Sequence, residues 1–155
     1  MKWFTVDVYS GADEEGNELP DDALAQASMA YKEHLASIDD RLSPEVRVLA
    51  RINMHDAVPR EVKSTKRSLA LSLELLDPLV PVPVRRPLGL TYRRWDLGGG
   101  FGVSGVHTLM EWGGERIGVL NHEVDIASDG RYIHRLLFWP AGELIVVFSE
   151  LSIAD

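Results

Sequence analysis

Five histidines, His34, His55, His107, His122 and His134, carry most of the chemical potential of a 155-residue chain that has no cysteine. Without thiolates, imidazole and carboxylate are the strong metal ligands that remain, and the same groups serve acid–base catalysis. His107 and Glu111 stand four apart, and His122, Glu123 and Asp125 form a small group. On a strand, however, His122 points with Leu120, Val124 and Ile126 toward an apolar face, while Glu123 and Asp125 point the other way. That splits the group. No H-E-x-x-H pattern occurs, so these residues read as hydrogen-bonded structural histidines, with no metal site. His55-Asp56 has the composition of a proton-transfer pair, because a carboxylate can fix an imidazole tautomer. Adjacent residues on an extended chain diverge, and no serine sits in a G-x-S-x-G elbow. Asn53, His55 and Asp56 are instead assigned to a helix end and strand start shaped by side-chain to backbone hydrogen bonds.

Gly100-Phe-Gly-Val-Ser-Gly105 matches G-x-G-x-x-G, in which glycines let backbone amides approach a pyrophosphate at a helix N-terminus. The pattern requires a strand before it and a helix after it. Val106 to Trp112 reads as a strand, no βαβ unit surrounds it, and nine of the 13 glycines fall between Gly89 and Gly118. The segment 98–105 is therefore expected to be a Gly-rich loop, and no cofactor is implied.

Two stretches have the chemistry of protein recognition. Asp13, Glu14, Glu15 and Glu18, followed by Asp21 and Asp22, could dock a cationic protein. Acidic decoys of this kind block nuclease toxins by imitating the charge of the substrate, and electrostatic steering makes the docking fast. Arg85, Arg86, Tyr92, Arg93, Arg94 and Trp95 combine arginine and aromatic groups, as protein hot spots and RNA-binding surfaces do. Plain solvated charge is the competing reading of both.

The balance of charge decides between nucleic acid and protein. The net charge is −8. Residues 1–60 carry 12 acids and 6 bases, residues 61–100 carry 4 and 7, and residues 101–155 carry 8 and 3. An acidic whole repels phosphate backbones, so a protein partner is favoured over nucleic acid. Asp7 interrupts the N-terminal apolar run before a signal-peptide core could form, and no stretch is long enough to span a bilayer. A cytoplasmic location is expected, with which the absence of cysteine agrees.

The elements that must position these residues follow from periodicity. Residues 2–9 are rich in aromatic and β-branched side chains and predict an N-terminal strand. Leu24, Ala27, Tyr31, Leu35 and Ile38 form the stripe of an amphipathic helix with Asp21 and Asp22 at its start. Ser43 caps a shorter helix with Pro44 at its first position. Residues 57–64 predict an edge strand because of Pro59, and Leu69, Leu71, Leu73 and Leu75 alternate as in a half-buried strand. Four of the eight prolines lie between Pro78 and Pro87, so 78–87 is expected to be a Pro-rich loop leading to a strand at 90–96. Further strands are expected at 106–112, 116–126, 132–139 and 144–153, joined by turn sequences too short for parallel crossovers. The expectation is one α+β domain over residues 1–155: an N-terminal strand and two helices on a mostly antiparallel sheet that ends in a β-meander.

The short helix before Ile52-Asn-Met-His-Asp-Ala57, the alternating strand at 69–75 and the terminal meander from Tyr132 to Leu151 together resemble a group of small uncharacterised bacterial cytoplasmic proteins. These have a His-Asp-Ala or His-Asp-Ser step and a C-terminal β-meander, and some occur beside toxin genes as presumed immunity proteins. The resemblance covers residues 43–76 and 116–153 and brings no catalytic residue with it. It implies a non-catalytic protein that neutralises or sequesters a partner protein such as a toxin. The alternative is a small-molecule binder or enzyme using a His-containing cleft between helices and sheet.

Overall fold

A computed structural model describes residues 2–13, 15–77, 84–100, 102–113, 117–140 and 142–154. Among them are four helices and eight strands in two antiparallel sheets, an α+β arrangement. The helices are α1 (Val6–Ser10), α2 (Ala23–Ile38), α3 (Pro44–Leu49) and α4 (Gly102–Gly113). The strands are β1 (Val58–Ser64), β2 (Ser68–Asp77), β3 (Val84–Arg93), β4 (Asp96–Gly100), β5 (Gly118–Ile126), β6 (Tyr132–Trp139), β7 (Glu143–Phe148) and β8 (Glu150–Ala154).

The expected N-terminal strand is not formed. Thr5 caps α1, accepting from the Val8 amide at 3.3 Å, and Gly11 closes it in the left-handed region, its amide donating to Asp7 O. Local capping overrides β-propensity here, and the amides of residues 2–4 find a side-chain acceptor rather than a neighbouring strand. α3 forms as its sequence predicts, with the Ser43 hydroxyl accepting from the Val46 amide and Pro44 in the first turn. α2 buries Tyr31 and Ile38, but no acid lies in its first turn; Asp22 stands just before it and accepts from the Gln26 side chain.

The sheets have strand orders β1-β2-β3-β8 and β4-β7-β6-β5. A single sheet gives way to two because both long strand pairs break at one level. β3 passes into β4 through Arg94, whose φ of 48° kinks the chain, and β7 passes into β8 at Ser149, whose amide donates to Arg93 O. The strand expected at 144–153 therefore serves both sheets. At the far edge the bridge Ala57↔Val119 ties β1 to β5, so the sheets are joined on both sides of a common core. That core draws Leu69, Leu71, Leu88 and Leu90 from the first sheet and Val124, Leu136, Val146 and Phe148 from the second.

Where they are described, the expected loops are strand and helix instead. β1 is an edge strand, as Pro59 requires. Residues 78–83 lie outside the described residues, but Val84 to Pro87 belong to β3, and Pro87 pairs with Glu74. β8 pairs with β3 only from Gly89 onward, so the proline meets no ladder on that side. Gly98 to Gly100 lie in β4, and Gly102 starts α4. Residues 106–112 are helical because Val103, Val106 and Met110, three and four apart, reach the core from one helix face. No described helix is long and apolar enough to cross a membrane.

Gly100 shows how tightly the β4–α4 corner is built. Its φ is +77°, and a Cβ there would stand 2.1 Å from Glu143 O, whereas Gly11, at φ +74°, has open space around it. Gly100→Ala should therefore cost at least about 2 kcal/mol, adding a backbone collision to the left-handed penalty of about 1 kcal/mol expected for Gly11→Ala. Urea denaturation of the two variants measures the difference.

Candidate functional site

The histidines on the apolar parity of β5 and β6 meet inside the protein. His122 and His134 stand edge to face, with His122 Nδ1 3.1 Å from His134 Nε2. His134 Nδ1 is 2.7 Å from the Tyr92 hydroxyl of β3, and His122 Nε2 is 2.8 Å from Ile52 O, just after α3. The carbonyl only accepts, so the direction of the chain is set from that end: His122 Nε2–H donates to Ile52 O. His134 Nε2–H then donates to His122 Nδ1, and Tyr92 O–H to His134 Nδ1. Every ring nitrogen is used with both imidazoles neutral. Burial lowers the pKa of His122 to about 4 against the help of the Ile52 carbonyl. His134 is held well below its usual value by burial and then by His122 beside it, while burial raises Tyr92.

The opposite parity of β5 carries a second polar cluster. The fully buried Glu123 carboxylate accepts from the amides of Lys2, Trp3 and Phe4 at 2.9, 2.7 and 2.8 Å, with Arg135 Nη1 3.7 Å away. Asp125 accepts from His34 Nε2 at 2.9 Å and from the Ile126 amide, with Arg135 at 3.5 Å. Burial alone would raise the Asp125 carboxyl, but the Ile126 amide, His34 and Arg135 outweigh it and hold it below its ordinary value. Trp3 lies against His34 and Tyr31, and the Val124 amide donates to the Tyr31 hydroxyl at 2.6 Å. Glu123 thus clamps the N-terminal arm onto α2 and β5.

The two carboxylates do point away from His122, as strand parity predicts, but they face α2 and the arm rather than water. His55 Nδ1 donates to Leu120 O at 2.7 Å and its Nε2 is 3.7 Å from Asp56 Oδ2, so the two adjacent side chains converge after all. Asp56 has a φ of 62°, which breaks the extended geometry that would have separated them. The Asn53 side chain accepts from the His55 amide, the local role assigned to it. His107 is exposed on α4. Among the described residues no group of three or more His, Asp or Glu side chains could hold a metal ion.

Strand β3 separates the residues of the central stretch. Tyr92 is completely buried, so it belongs to the core and not to a partner surface. Arg85 pairs with Glu74, Arg94 with Glu150, and the Trp95 indole N–H donates to Thr65 O; Arg86 and Arg93 are exposed. Glu14 lies outside the described residues. Asp13, Glu15 and Glu18 share one turn between α1 and α2, in which Asn17 donates to both Asp13 oxygens at 2.8 Å, Ala12 bridges Glu18 and the Leu19 amide donates to Gly11 O. The Asn17 side chain and amide hold the Asp13 carboxyl below its usual value. The glycine-rich motif has a strand before it and a helix after it, but β4 runs antiparallel to β7, so the parallel βαβ setting of a dinucleotide site is not built there.

The chain matches no family model, and no curated protein or solved structure matches it. The likeness to presumed immunity proteins therefore rests on the residues that suggested it.

Two predictions test these networks. An unfolded imidazole has a pKa of 6.5 and folded His122 about 4, so below pH 6.5 the unfolded state binds the extra proton first. His122 thus contributes stability in full above pH 6.5 and loses on the order of 3 kcal/mol as pH falls toward 4. Denaturation midpoints across that window should show the slope, and His122→Gln should make it shallower, with buried His134 supplying the remainder. Glu123→Ala should strip the acceptor from three amides and cost about 2 kcal/mol or more. Hydrogen exchange at Trp3 and Phe4 should then become nearly unprotected while β2 and β3 stay protected.

Proposed function

We propose that this protein is a non-catalytic binding protein of the immunity or inhibitor kind, acting in the cytoplasm by docking its acidic turn on a cationic partner protein. The observation that supports this reading is how the protein distributes its ion pairs. Arg60 and Arg85 meet Glu74, Arg47 and Arg51 meet Asp39, Arg94 meets Glu150, and Arg131 meets Asp96 and Asp129. Among the described residues no lysine or arginine pairs with Asp13, Glu15, Glu18, Asp21 or Asp22. Their turn is nonetheless held by its own hydrogen bonds, so little ordering would oppose binding. An ordered, uncompensated acidic turn is suited to steering a basic surface. The histidines at the core have all their ring nitrogens engaged away from solvent, which weighs against the enzyme alternative that places them in a cleft.

Crosslinked pull-down from the native host identifies the partner, and association kinetics then test the face. Replacing Asp13, Glu14, Glu15 and Glu18 by Ser should slow association by about tenfold at low salt and flatten its salt dependence, with little change in fold stability. If Arg94→Ala and Trp95→Ala raise the dissociation rate while the acidic changes do nothing, the central stretch is the docking face. Failure to recover any partner would remove the support for binding itself.

A further inference from the structure

Where the first sheet meets the second along the Ala57↔Val119 bridge, the outer surface is indented by a cleft of about 240 Å³. Its shape follows from one strand pair. Gly118 stands opposite Trp139 in the β5–β6 register, so the indole faces a position with no side chain. Trp139 is 56% exposed, a large aromatic surface left without cover. Leu76 and Ile117 extend the apolar wall, and the volume falls below the roughly 300–1,000 Å³ of pockets for drug-sized ligands.

The polar groups of the cleft carry opposite charges. Asp56 precedes β1, whose Val58 pairs with Glu74, and Leu76, two residues beyond Glu74 on the same face of β2, pairs with Arg85 of β3. Asp56 and Arg85 both line the cleft. The Asp56 side chain is 61% exposed, with His55 Nε2 3.7 Å from its Oδ2. Arg85 gives Glu74 a single hydrogen bond, at 3.3 Å, out of the five N–H donors of a guanidinium. Glu74 is also held at 2.7 Å by Arg60, so it does not compensate Arg85 fully. The cleft is lined by the Asp56 and Glu74 carboxylates and the Arg85 guanidinium, with an indole and aliphatic groups beside them.

We propose that this cleft binds a free α-amino acid with an apolar side chain: the ammonium at Asp56, the carboxylate at Arg85, and the side chain against Trp139 in the space left by Gly118. A cationic ligand alone would leave the Arg85 donors not taken by Glu74 unused, and an anionic one would leave Asp56 without a counter-charge. The proposal stands apart from the acidic docking face and does not depend on it.

The test is an NMR titration of the ¹⁵N-labelled full chain with L-phenylalanine, following the Trp139 indole signal, assigned with Trp139→Phe, and the Gly118 amide. Both should shift saturably. Phenethylamine, which lacks the carboxylate, and 3-phenylpropionate, which lacks the ammonium, should each bind about tenfold more weakly, as the loss of one charge-assisted hydrogen bond implies. Gly118→Val should abolish the shift. Gly118 has ordinary backbone geometry, and a Cβ there meets nothing closer than 3.7 Å; the dispersion of the variant's spectrum reports whether the larger valine is accommodated. Trp139→Ala, a change at an exposed site, gives an independent check through the Gly118 signal. The absence of a saturable shift, equal binding of the one-charge analogues, or binding that survives both substitutions would each overturn the proposal. None of these results bears on the acidic turn, whose test reads a partner protein.

Discussion

The chain of hydrogen bonds from Tyr92 through His134 and His122 to Ile52 O is the constraint on which the arrangement of the two sheets depends. Its members come from β3, from β6 and β5, and from the segment after α3, so each bond spans a boundary between structural units. A buried polar group left without a partner costs about 1–3 kcal/mol, far more than a satisfied one contributes. The sheets cannot slide or rotate on each other without orphaning at least one such group. Apolar contacts around the chain would tolerate a small slip, but directional bonds with every ring nitrogen committed do not.

Outside the second sheet the same logic works with charge. Glu123 and Asp125, one strand repeat apart, gather Arg135, His34 and three arm amides into one layer beneath α2. A buried carboxylate is tolerable only with such donors, and here the donors include the beginning of the described chain. α2 and the arm consequently share an anchor, with Trp3 wedged against Tyr31 and His34. β5 is thereby tied down on both faces, by imidazoles within and carboxylates without.

These two networks leave the remaining surface features outside the internal hydrogen bonding. Among the described residues no lysine or arginine pairs with the acidic turn, and the Trp139 cleft is shaped by a missing side chain. The acidic turn lies outside the core, and Trp139 is exposed at the cleft, while Ile117 and Val119 of the cleft wall belong to the core. His122 and His134, which looked among the most chemical residues, are the ones whose ring nitrogens the fold uses completely.

Much of the architecture is legible in single residues: Ser43-Pro44 as a helix start, Pro59 as an edge-strand marker, the leucine alternation of β2 and the antiparallel β5–β6 hairpin around Asp129-Gly130. All are local effects, decided within a few residues by backbone hydrogen bonding and side-chain period. What only the tertiary structure decided is where competing local preferences go and who meets whom. Residues 2–9 have strand-forming side chains, yet Thr5, Gly11 and the distant Glu123 carboxylate make an arm and a helical turn of them. Residues 106–112 satisfy a strand as well as a helix, and the glycine reversal at 99–102 with the core on one side selects the helix. Tyr92 reads as an exposed aromatic among arginines, and its burial follows from pairing with Leu69 and Leu151 inside the first sheet. Partners 42 to 121 residues apart in the chain leave no periodic trace, because periodicity records which face a side chain takes and not what stands opposite it.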